Sequence, residues 1–519
     1  MSRAPLAAIS VGLLAWSTFS AFVAADDWPQ WGGKKDRNMA CARAGSLPDF
    51  FDPGTRDVKT REIDLASAKN VKWIANLDSM TNSSPVVARG RVLIGTNARA
   101  RNPGEADSLG ESGKLVCLDE QSGRLLWQLV IPRLTSEECP EADTGYGICS
   151  TATVEGDRVY VVSNRGEVLC LDIHGQANGN DGPFLDEGQY LAGPKKSPIP
   201  VQSTDGDILW IYNIIQEVKV RPHDASSCSI LIQGDVLYVC TGNAKGRALS
   251  PVAYPRSPSL IALDKRTGRL LAKDDEKIGT RLYKGQWSSP SLIMVHGKSL
   301  ILYGGGDGVC YAFEPVTCSV GDGVSLLKKI WWFDCVPPER KFRDGKPVPY
   351  DSTDGPSEII GTPAVYGNKV YVTIGQDPRF GRGRGNLSCI AADKVGDVTG
   401  SAKVWTYDRI ERSLSTPSVA EGLVYVADYG GTIHCLDAET GRCYWTHETG
   451  QPVWGSTFVA DCKVYLGTTR RNLWVLAADK EKKVLGKIRL DSGITCTPCA
   501  ANGVFYVASQ RYLWAVQKR

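Results

Sequence analysis

One pattern returns eight times along this 519-residue chain: a Ser/Thr-rich start, alternating apolar residues, a Gly or polar turn, and a second alternating run. An alternation of period two with a turn in its middle predicts a β-hairpin for each copy. The copies occupy residues 83–96, 150–163, 228–241, 288–304, 361–375, 415–428, 455–468 and 496–509. Since a single hairpin cannot bury its apolar face alone, this repetition predicts a fold of similar units packed side by side.

A second motif follows most of the hairpins: an apolar stretch ends in Asp, a turn ends in Gly, and an aromatic strand comes next. Its clearest copies are 115–129, 260–274 and 433–447. In such a turn the Asp can accept backbone N–H groups and the Gly can adopt a left-handed conformation, while Trp127 or Trp445 can cover the neighbouring sheet. The two motifs together make four strands. Eight such units, the last three about 40 residues apart, predict an all-β fold, an eight-bladed β-propeller of four-stranded antiparallel blades.

The two ends of the chain complement each other in this architecture. The eighth unit ends at 513–516 without an outer strand, and residues 71–77 supply an unpaired one. Pairing them would close the ring with an N-terminal strand and remove two open sheet edges. We therefore predict a propeller over 71–519, preceded by a polar, turn-rich lead-in over 26–70. Insertions into the repeat are expected at 97–112, 130–148, 173–207, 243–258, 335–360 and 376–386, and insertions on one side of a ring are a usual way to build a binding face.

Residues 1–25 have the order of a secretory signal. Arg3 is followed by an uncharged apolar run over 4–24 and by small residues that end at Ala25. This order predicts cleavage after Ala25 and export to the periplasm or the extracellular space. An uncleaved membrane anchor is the alternative, because the run is nearly long enough to span a bilayer. No later run reaches the roughly 18 apolar residues that a span requires, so no further membrane segment is expected.

Charge and cysteine content narrow the class of protein. Lys and Arg total 60 against 57 Asp and Glu, so the formal net charge of +3 gives no basic footprint for nucleic acid. The 16 Cys residues all follow the signal segment, where export permits disulfides. Cys139 and Cys149 flank one Gly-rich loop and are the best local candidates for a disulfide. Six others lie inside apolar strand patterns that suit a buried thiol as well as a bridge: Cys117, Cys170, Cys240, Cys310, Cys389 and Cys435.

Residues 436–445 read LDAETGRCYW, which resembles the tryptophan-docking repeat of the pyrroloquinoline quinone (PQQ) family of β-propellers. That family includes quinoprotein alcohol dehydrogenases and the propeller lipoprotein of the outer-membrane barrel-assembly machine. The similarity covers about 71–519 through the repeats, and the opening residues 27–31, DWPQW, resemble the start of many exported bacterial members. The resemblance implies the fold and leaves the function open, because the same blade serves enzymes and scaffolds.

The enzyme branch of this family adds an adjacent Cys-Cys pair, a calcium or lanthanide ion beside the quinone, and a catalytic Asp. The chain has no Cys-Cys dipeptide, and its one C-x-x-C, at 496–499, is followed by Ala500 rather than the His of a haem attachment motif. We interpret Cys496 and Cys499 as buried or bridged thiols, because a metal centre would need more ligands. The five His residues show no metal-binding spacing.

The residues just before each first strand are expected to line one mouth of the central channel. In ring order they are Asn82, Tyr146, His223 with Asp224, Gln286 with Trp287, Glu358, Arg412 with Ser413, Trp454 and Thr495. Flat aromatic rings with convergent polar groups could hold a planar polar ligand such as a quinone. The structural alternative is that the polar members cap turns and the Trp residues pack between blades.

Two functions from different classes follow from this mouth. The first is an exported, non-catalytic propeller without a cofactor, which binds a protein partner or a small ligand at the axial funnel. The second is a PQQ-dependent dehydrogenase with calcium. In that case Glu358 or Asp224 would ligate the metal and Asp224 or His223 would be catalytic. Contacts to the quinone would come from Tyr146, Gln286, Trp287, Arg412 and Trp454. We favour the first, because fold-level analogy is weak evidence for activity.

Overall fold

The computed structural model describes residues 26–518, apart from Arg61, Ser79, 99–111, 136–145, 223–227, 247–248 and 319–322. The predicted signal segment, Cys139, His223 and Asp224 therefore lie outside the described residues. The described chain is mostly β and forms an eight-bladed β-propeller of four-stranded antiparallel blades, which confirms the predicted fold. No helix of the described residues is long and apolar enough to cross a membrane.

Each blade follows the predicted unit of two hairpins, with its first strand innermost. The strands of blades 1 to 4 are, from the axis outward, Val86–Ala88, Arg91–Ala98, Ser112–Asp119 and Leu125–Pro132; Thr153–Glu155, Arg158–Val162, Glu167–Asp172 and Asp207–Asn213; Leu231–Gln233, Val236–Cys240, Leu260–Asp264 and Leu270–Lys273; and Ser291–Val295, Lys298–Gly304, Val309–Phe313 and Lys329–Asp334. Those of blades 5 to 8 are Ala364–Tyr366, Lys369–Ile374, Asn386–Ala391 and Lys403–Tyr407; Ser418–Ala420, Leu423–Ala427, Thr432–Asp437 and Cys443–Glu448; Phe458–Ala460, Lys463–Gly467, Asn472–Ala477 and Val484–Arg489; and Cys499–Ala501, Val504–Ala508, Tyr512–Val516 and Val71–Asn76.

Blade 8 is built from both ends of the chain. Val71–Asn76 pairs antiparallel with Tyr512–Val516, with Trp73 opposite Ala515. The predicted closure of the ring by an N-terminal strand is confirmed. Because the first and last units share one sheet, neither leaves an unpaired edge at the junction.

Short elements decorate the blades. The strands Ser325–Leu326 and Gly396–Asp397 pair in parallel with the outer edges of blades 3 and 4, and Ala40–Cys41 pairs with the inner strand of blade 7. Two small hairpins join Thr55–Arg56 to Ile63–Asp64 and Phe342–Arg343 to Lys346–Pro347. The α-helices are Glu187–Ala192, Ile214–Val218 and Pro338–Lys341, and the 3-10 helices are Leu65–Ser67, Gly175–Asn178, Ile278–Thr280 and Pro378–Phe380.

Tryptophans of the outer strands join several blades to the next one. Trp73 Nε1 donates to the Glu120 carbonyl at 2.9 Å, and Trp127 Nε1 donates to the Ile173 carbonyl at 2.8 Å. Gly123 has φ +71°, and a Cβ there would lie 2.5 Å from the Trp73 ring. The Gly of the repeat is therefore required both by the turn and by the docked ring. The same packing pairs Trp127 with Gly175, Trp210 with Gly268, and Trp405 with Gly441.

The Ser/Thr-rich starts tie the inner strands together around the channel. We call eight of these residues the hydroxyl ring: Ser84, Thr151, Ser229, Ser289, Thr362, Thr416, Ser456 and Thr497. Six ring members donate their backbone N–H to the hydroxyl of the next blade's member, over 2.8 to 3.2 Å. Thr497 of blade 8 donates to Ser84 of blade 1 at 3.0 Å, which closes the circle. These hydroxyls therefore satisfy buried backbone N–H groups at the inner edges of the blades.

The lead-in packs on the ring. Its residues 28–41, which we call the closure segment, run once around the channel and contact the inner-strand regions of all eight blades. In seven blades the contacted residue lies three positions after the hydroxyl-ring member: Val87, Val154, Leu292, Val365, Val419, Val459 and Ala500. The closure segment therefore blocks the channel beneath the hydroxyl ring. We call the open face, where the inner strands begin, the mouth face.

Arg37 is the buried centre of the closure segment. Its side chain is fully buried, and its guanidinium donates to five oxygens at 2.7 to 3.4 Å. These belong to the Gln30 side chain and to the carbonyls of Trp31, Ser229, Ile230 and Pro290. Burial lowers the pKa of Arg37 to about 10, so the group is still a cation at neutral pH. It joins the closure segment to blades 3 and 4.

The cysteines in the strand patterns are buried free thiols. Of the two possibilities that the sequence left open, a buried thiol or a disulfide bridge, the structure has the thiol. These cysteines are Cys117, Cys170, Cys240, Cys310, Cys389 and Cys435. Cys496 and Cys499 of the C-x-x-C are also buried and free. Burial raises the pKa of the Cys496 thiol to about 12, so it is protonated at neutral pH. The Cys139–Cys149 disulfide stays a prediction.

The insertions lie on both faces of the ring. Strand direction alternates within a blade, so the connection from the second to the third strand and the passage to the next blade both lie on the mouth face. The insertions 335–360 and 376–386 are connections of these kinds. The insertion 173–207 joins the third and fourth strands of blade 2, which places it on the opposite face.

Candidate functional site

The channel opens at the mouth face into a cavity of about 270 Å³. Its wall is made by members of the hydroxyl ring and by the residues two positions before them, which we call the lining layer. The lining-layer residues at the cavity are Asn82, Cys149, Trp287, Ile360, Leu414, Trp454 and Thr495. Tyr146 and the pair Asp377 and Arg379 complete the wall.

Trp31 of the closure segment lines the bottom of this cavity. Its indole Nε1 donates to the Thr362 hydroxyl at 3.2 Å, which fixes the ring against the wall. Trp31, Trp287, Trp454 and Tyr146 therefore surround one space that is closed below by the closure segment. Four aromatic rings around a closed-ended cavity provide flat apolar surface for a ligand.

Three of the five residues predicted to contact a quinone are brought together here: Tyr146, Trp287 and Trp454. Trp454 remains 37% exposed, so its ring is accessible from the mouth. Asn82 and Thr495, also named from the sequence, belong to the same wall.

Gln286 lies outside the cavity wall, in the packing between blades 3 and 4. Its side chain is 2% exposed. The amide Nε2 donates to the Asn243 carbonyl at 2.9 Å, and Oε1 accepts from the Tyr303 hydroxyl at 2.9 Å. Because both ends of the amide are used, Gln286 joins two blades rather than presenting a group to the funnel.

Arg412 is also absent from the wall and is 1% exposed. Its guanidinium donates to the carbonyls of Phe380 at 3.1 Å and Thr353 at 3.4 Å, and to that of Ser352. Burial lowers its pKa from the ordinary value. The two Nη groups hold the loops of blade 5 in place, and Nε is buried without a hydrogen-bond partner among the described residues, so the guanidinium does not present the expected bidentate contact to the cavity.

Glu358 is fully buried and pairs through its backbone with Gly375. Its Oε1 accepts from the Tyr350 hydroxyl at 2.9 Å, while Oε2 is buried without a hydrogen-bond partner among the described residues. Burial raises the pKa of Glu358 well above the ordinary value, with the nearby Asp377 acting in the same direction. The carboxyl lies in the packing of blade 5 and is not part of the cavity wall, so the cation that the sequence assigned to Glu358 would not lie in the axial cavity.

The hydroxyl ring explains which predicted residues line the cavity. Trp287 and Trp454 stand two positions before their ring members, whereas Glu358 and Arg412 stand four positions before theirs. The lining positions of blades 5 and 6 are Ile360 and Leu414. Counting back from the Ser or Thr of each repeat would have given this register. Trp31 was missed, because nothing local to DWPQW indicates that the segment crosses the channel.

Asp377 and Arg379 form a charged pair in the wall. Asp377 accepts from Arg379 Nε at 3.1 Å and Nη2 at 2.7 Å, and from the Arg379 backbone N–H at 3.0 Å. The Asp377 side chain is 6% exposed, whereas that of Arg379 is 54% exposed. The carboxylate is thus bound on the inner side, and the guanidinium is the charged group with access to the mouth.

A calcium-bound quinone needs a flat surface and several oxygen ligands for the ion. The Trp rings fit the flat group. The donors do not fit the ion: Asp377 is bound by Arg379, Glu358 faces Tyr350, and no group of three or more His, Cys, Asp or Glu among the described residues could hold a metal. The described cavity therefore suits a planar ligand better than a metal-bound quinone.

Comparison with known proteins supports the fold. A family model described as outer membrane protein assembly factor BamB matches residues 62–212 and 383–484. BamB from Moraxella catarrhalis has a TM-score of 0.50 at 12% identity over 86% of this chain and 98% of that chain. A quinohemoprotein alcohol dehydrogenase from Pseudomonas putida has a TM-score of 0.55 at 12% identity, with coverages of 95% and 80%. A europium-containing methanol dehydrogenase has 0.52 at 13%, with coverages of 95% and 89%. No curated protein matches the chain by sequence.

These likenesses and the docked tryptophan repeats place the chain in a class, the repeat-built β-propellers. Within it, the matching family model and the structural neighbours support the PQQ-repeat β-propeller family for this chain. At 12% identity the structural likeness concerns the fold alone, so an assembly factor and a dehydrogenase are equally compatible with it.

Proposed function

We propose that this protein is an exported, non-catalytic propeller that binds a flat ligand with polar edges in the axial cavity. The observation that carries the proposal is the closed-ended cavity around Trp31, Trp287 and Trp454, whose carboxylate Asp377 is already bound by Arg379. Such a site offers stacking surfaces and hydrogen bonds, and it keeps its acidic group occupied rather than free to accept a substrate proton.

The hydroxyl ring adds a polar preference to this aromatic site. The hydroxyls of Ser84, Thr416, Ser456 and Thr497 accept a backbone N–H from a neighbouring blade. A hydroxyl that accepts a hydrogen bond keeps its own proton to donate. The cavity wall can therefore donate to carbonyl or carboxylate oxygens at the edge of a planar ligand, and Arg379 can meet an anionic edge at the mouth.

The signal-like order of residues 1–25 supports export to the periplasm or the extracellular space, with cleavage before the lead-in. The name of the matching family, an outer membrane protein assembly factor, agrees with an exported chain. The same name favours a protein partner as the alternative occupant of the mouth face, where the insertions 335–360 and 376–386 provide additional surface.

The test is calorimetric titration of the full mature chain with pyrroloquinoline quinone, a planar, oxygen-rich probe, with and without calcium. We expect one-to-one binding that does not depend on calcium. Trp454→Ala should weaken it about fivefold or more, since loss of a stacking ring removes about 1 kcal/mol or more. Phe342→Ala is the matched control, because this ring is 58% exposed and lies outside the cavity.

A dye-reduction assay with simple alcohols completes the experiment. Calcium-dependent binding together with alcohol-driven dye reduction would overturn the non-catalytic proposal and make the protein a quinoprotein dehydrogenase. Absence of any binding at millimolar probe would overturn the planar-ligand proposal, and the protein-partner alternative would then replace it.

A further inference from the structure

A second concave site lies on the mouth face, beside the axial cavity, where blade 7 meets blade 8. We call it the basic pocket. It has a volume of about 800 Å³ and is lined by the cations Arg470, Arg471, Lys487, Arg489 and Arg511, with Gln451 among its polar residues. No Asp or Glu is part of its lining.

Three elements bring these cations together. Arg470 and Arg471 occupy the turn between the second and third strands of blade 7, and Arg511 occupies the equivalent turn of blade 8. Lys487 and Arg489 lie on the outer strand of blade 7. All five side chains are exposed, so five positive charges share one concavity in a chain whose formal net charge is +3.

None of the five cations forms a salt bridge with a carboxylate of the described chain. The acid that is next to the pocket in sequence, Asp491, uses Oδ1 to accept from the Ser509 hydroxyl at 2.6 Å, and its Oδ2 is buried. Unpaired like charges in a concave surface focus a positive potential, which raises the local concentration of anions.

Part of the pocket is held in position before any ligand arrives. Lys487 Nζ lies 4.7 Å from the centre of the Trp474 ring, in a cation–π contact. Gln451 Oε1 accepts from the Thr468 hydroxyl at 2.6 Å and from Asn472 Nδ2 at 2.9 Å. Its Nε2 is therefore left as a donor at the pocket wall. Groups that are already ordered lower the entropic cost of binding.

We propose that the basic pocket binds a small polyanion that carries several phosphate groups. Arginine forks match phosphate oxygens in a bidentate manner, and five cations in one pocket favour a ligand that carries several negative charges. The concave shape favours a compact group that enters the pocket over a flat charged surface. The ligand chemistry is shared by free polyphosphates and phosphate headgroups, and the experiment separates these two sources.

The probe is inorganic tripolyphosphate, titrated calorimetrically into the full mature chain at low ionic strength. We expect one-to-one binding that weakens as salt is added. Removing two charge-assisted contacts with Arg470→Gln and Arg489→Gln should weaken binding about a hundredfold. The control pair, Arg266→Gln and Arg343→Gln, removes the same charge from exposed arginines that face Asp235 and Asp354. This pair should leave binding unchanged, and so should Trp454→Ala in the axial cavity.

Absence of saturable heat at millimolar tripolyphosphate would overturn the proposal. An equal loss in both double variants would also overturn it, because the attraction would then come from net charge alone. Flotation with vesicles that contain phosphatidylinositol bisphosphate, whose headgroup carries several phosphates, identifies the source. Co-flotation that is lost in the pocket variant points to a headgroup, and tripolyphosphate binding without flotation points to a soluble polyphosphate.

Discussion

The hydroxyl ring and the lining layer lie two residues apart on the same eight segments, yet they follow opposite rules. Every ring position is Ser or Thr, whereas the seven lining positions at the cavity are Asn, Cys, Trp, Ile, Leu, Trp and Thr. A closed ring needs a similar hydrogen bond at each step between blades, so its residues repeat. One asymmetric ligand needs a different contact from each direction. In a repeat-built propeller, the positions that depart from the repeat are therefore the informative ones for function.

The closure segment, like the hydroxyl ring, stabilises the fold. We expect the largest loss of stability from a substitution of Arg37. Arg37→Met removes a cation that donates to five oxygens, and the Ile230 carbonyl among them keeps a side-chain donor of the described chain, the Thr153 hydroxyl. We expect a loss of about 3 kcal/mol or more in the free energy of unfolding, since each unsatisfied buried acceptor is costly. Chemical denaturation of the mature chain measures it.

The control for this change is Arg43→Met in the same lead-in. The Arg43 side chain is 65% exposed and faces Asp26 across 3.8 Å, so its loss should change the free energy of unfolding by less than about 0.5 kcal/mol. Equal effects of the two substitutions would show that the lead-in does not depend on its buried guanidinium.

Blade 1 offers a direct comparison of the two layers, with Ser84 in the ring and Asn82 in the lining. Ser84→Ala removes the acceptor of the Thr497 N–H and should lower the free energy of unfolding by about 2 kcal/mol. Asn82 makes no hydrogen bond to the described part of the chain, so Asn82→Ala should change stability by less than about 0.5 kcal/mol.

Ligand binding should reverse this order, with Asn82→Ala weakening binding of the planar probe more than Ser84→Ala does. Denaturation and titration of the same two proteins give both measurements. If Asn82→Ala destabilised the fold as strongly as Ser84→Ala, the division between a structural layer and a ligand layer would be wrong.

The fold could be predicted from the sequence because its signals repeat. Eight copies of one hairpin pattern average out local errors, and the missing outer strand of the last unit pointed to 71–77. The sequence predicted the bounds of the insertions but not the face of the ring on which each one lies, because that depends on strand direction. The insertion 173–207, on the opposite face, was therefore not distinguished from the insertions on the mouth face.

The site could be predicted only in part, for a physical reason. Residues before a first strand lie in loops, where no period fixes which way a side chain points. Trp287 and Trp454 line the cavity as predicted. Glu358 and Arg412 instead form hydrogen bonds within the blade packing. Trp31 reaches the cavity through a contact with Thr362, 331 positions away, which no local pattern encodes.

Substitution of Glu358 should have the smallest effect on the free energy of unfolding. The pH dependence of this effect tests whether Glu358 belongs to the blade packing or to the ligand-binding layer. Burial raises its pKa, so the folded chain keeps this proton above the pH at which the unfolded chain, with an ordinary value near 4.5, releases it. Proton release from the unfolded chain alone makes folding less favourable as pH rises through that window, with a limiting slope of about 1.4 kcal/mol per pH unit. Gln cannot release a proton and should escape this loss.

The advantage of Glu358→Gln over the unmodified chain should therefore be near zero at pH 4 and grow by about 1 kcal/mol between pH 5 and pH 6. Denaturation at a series of pH values measures it, with Glu421→Gln at an exposed turn as the matched control. A growing disadvantage instead would mean that Glu358 is ionised in the folded protein. In that case Oε2, which has no partner among the described residues, would be free to ligate a cation, and the carboxyl would belong with the ligand-binding layer rather than with the packing of blade 5.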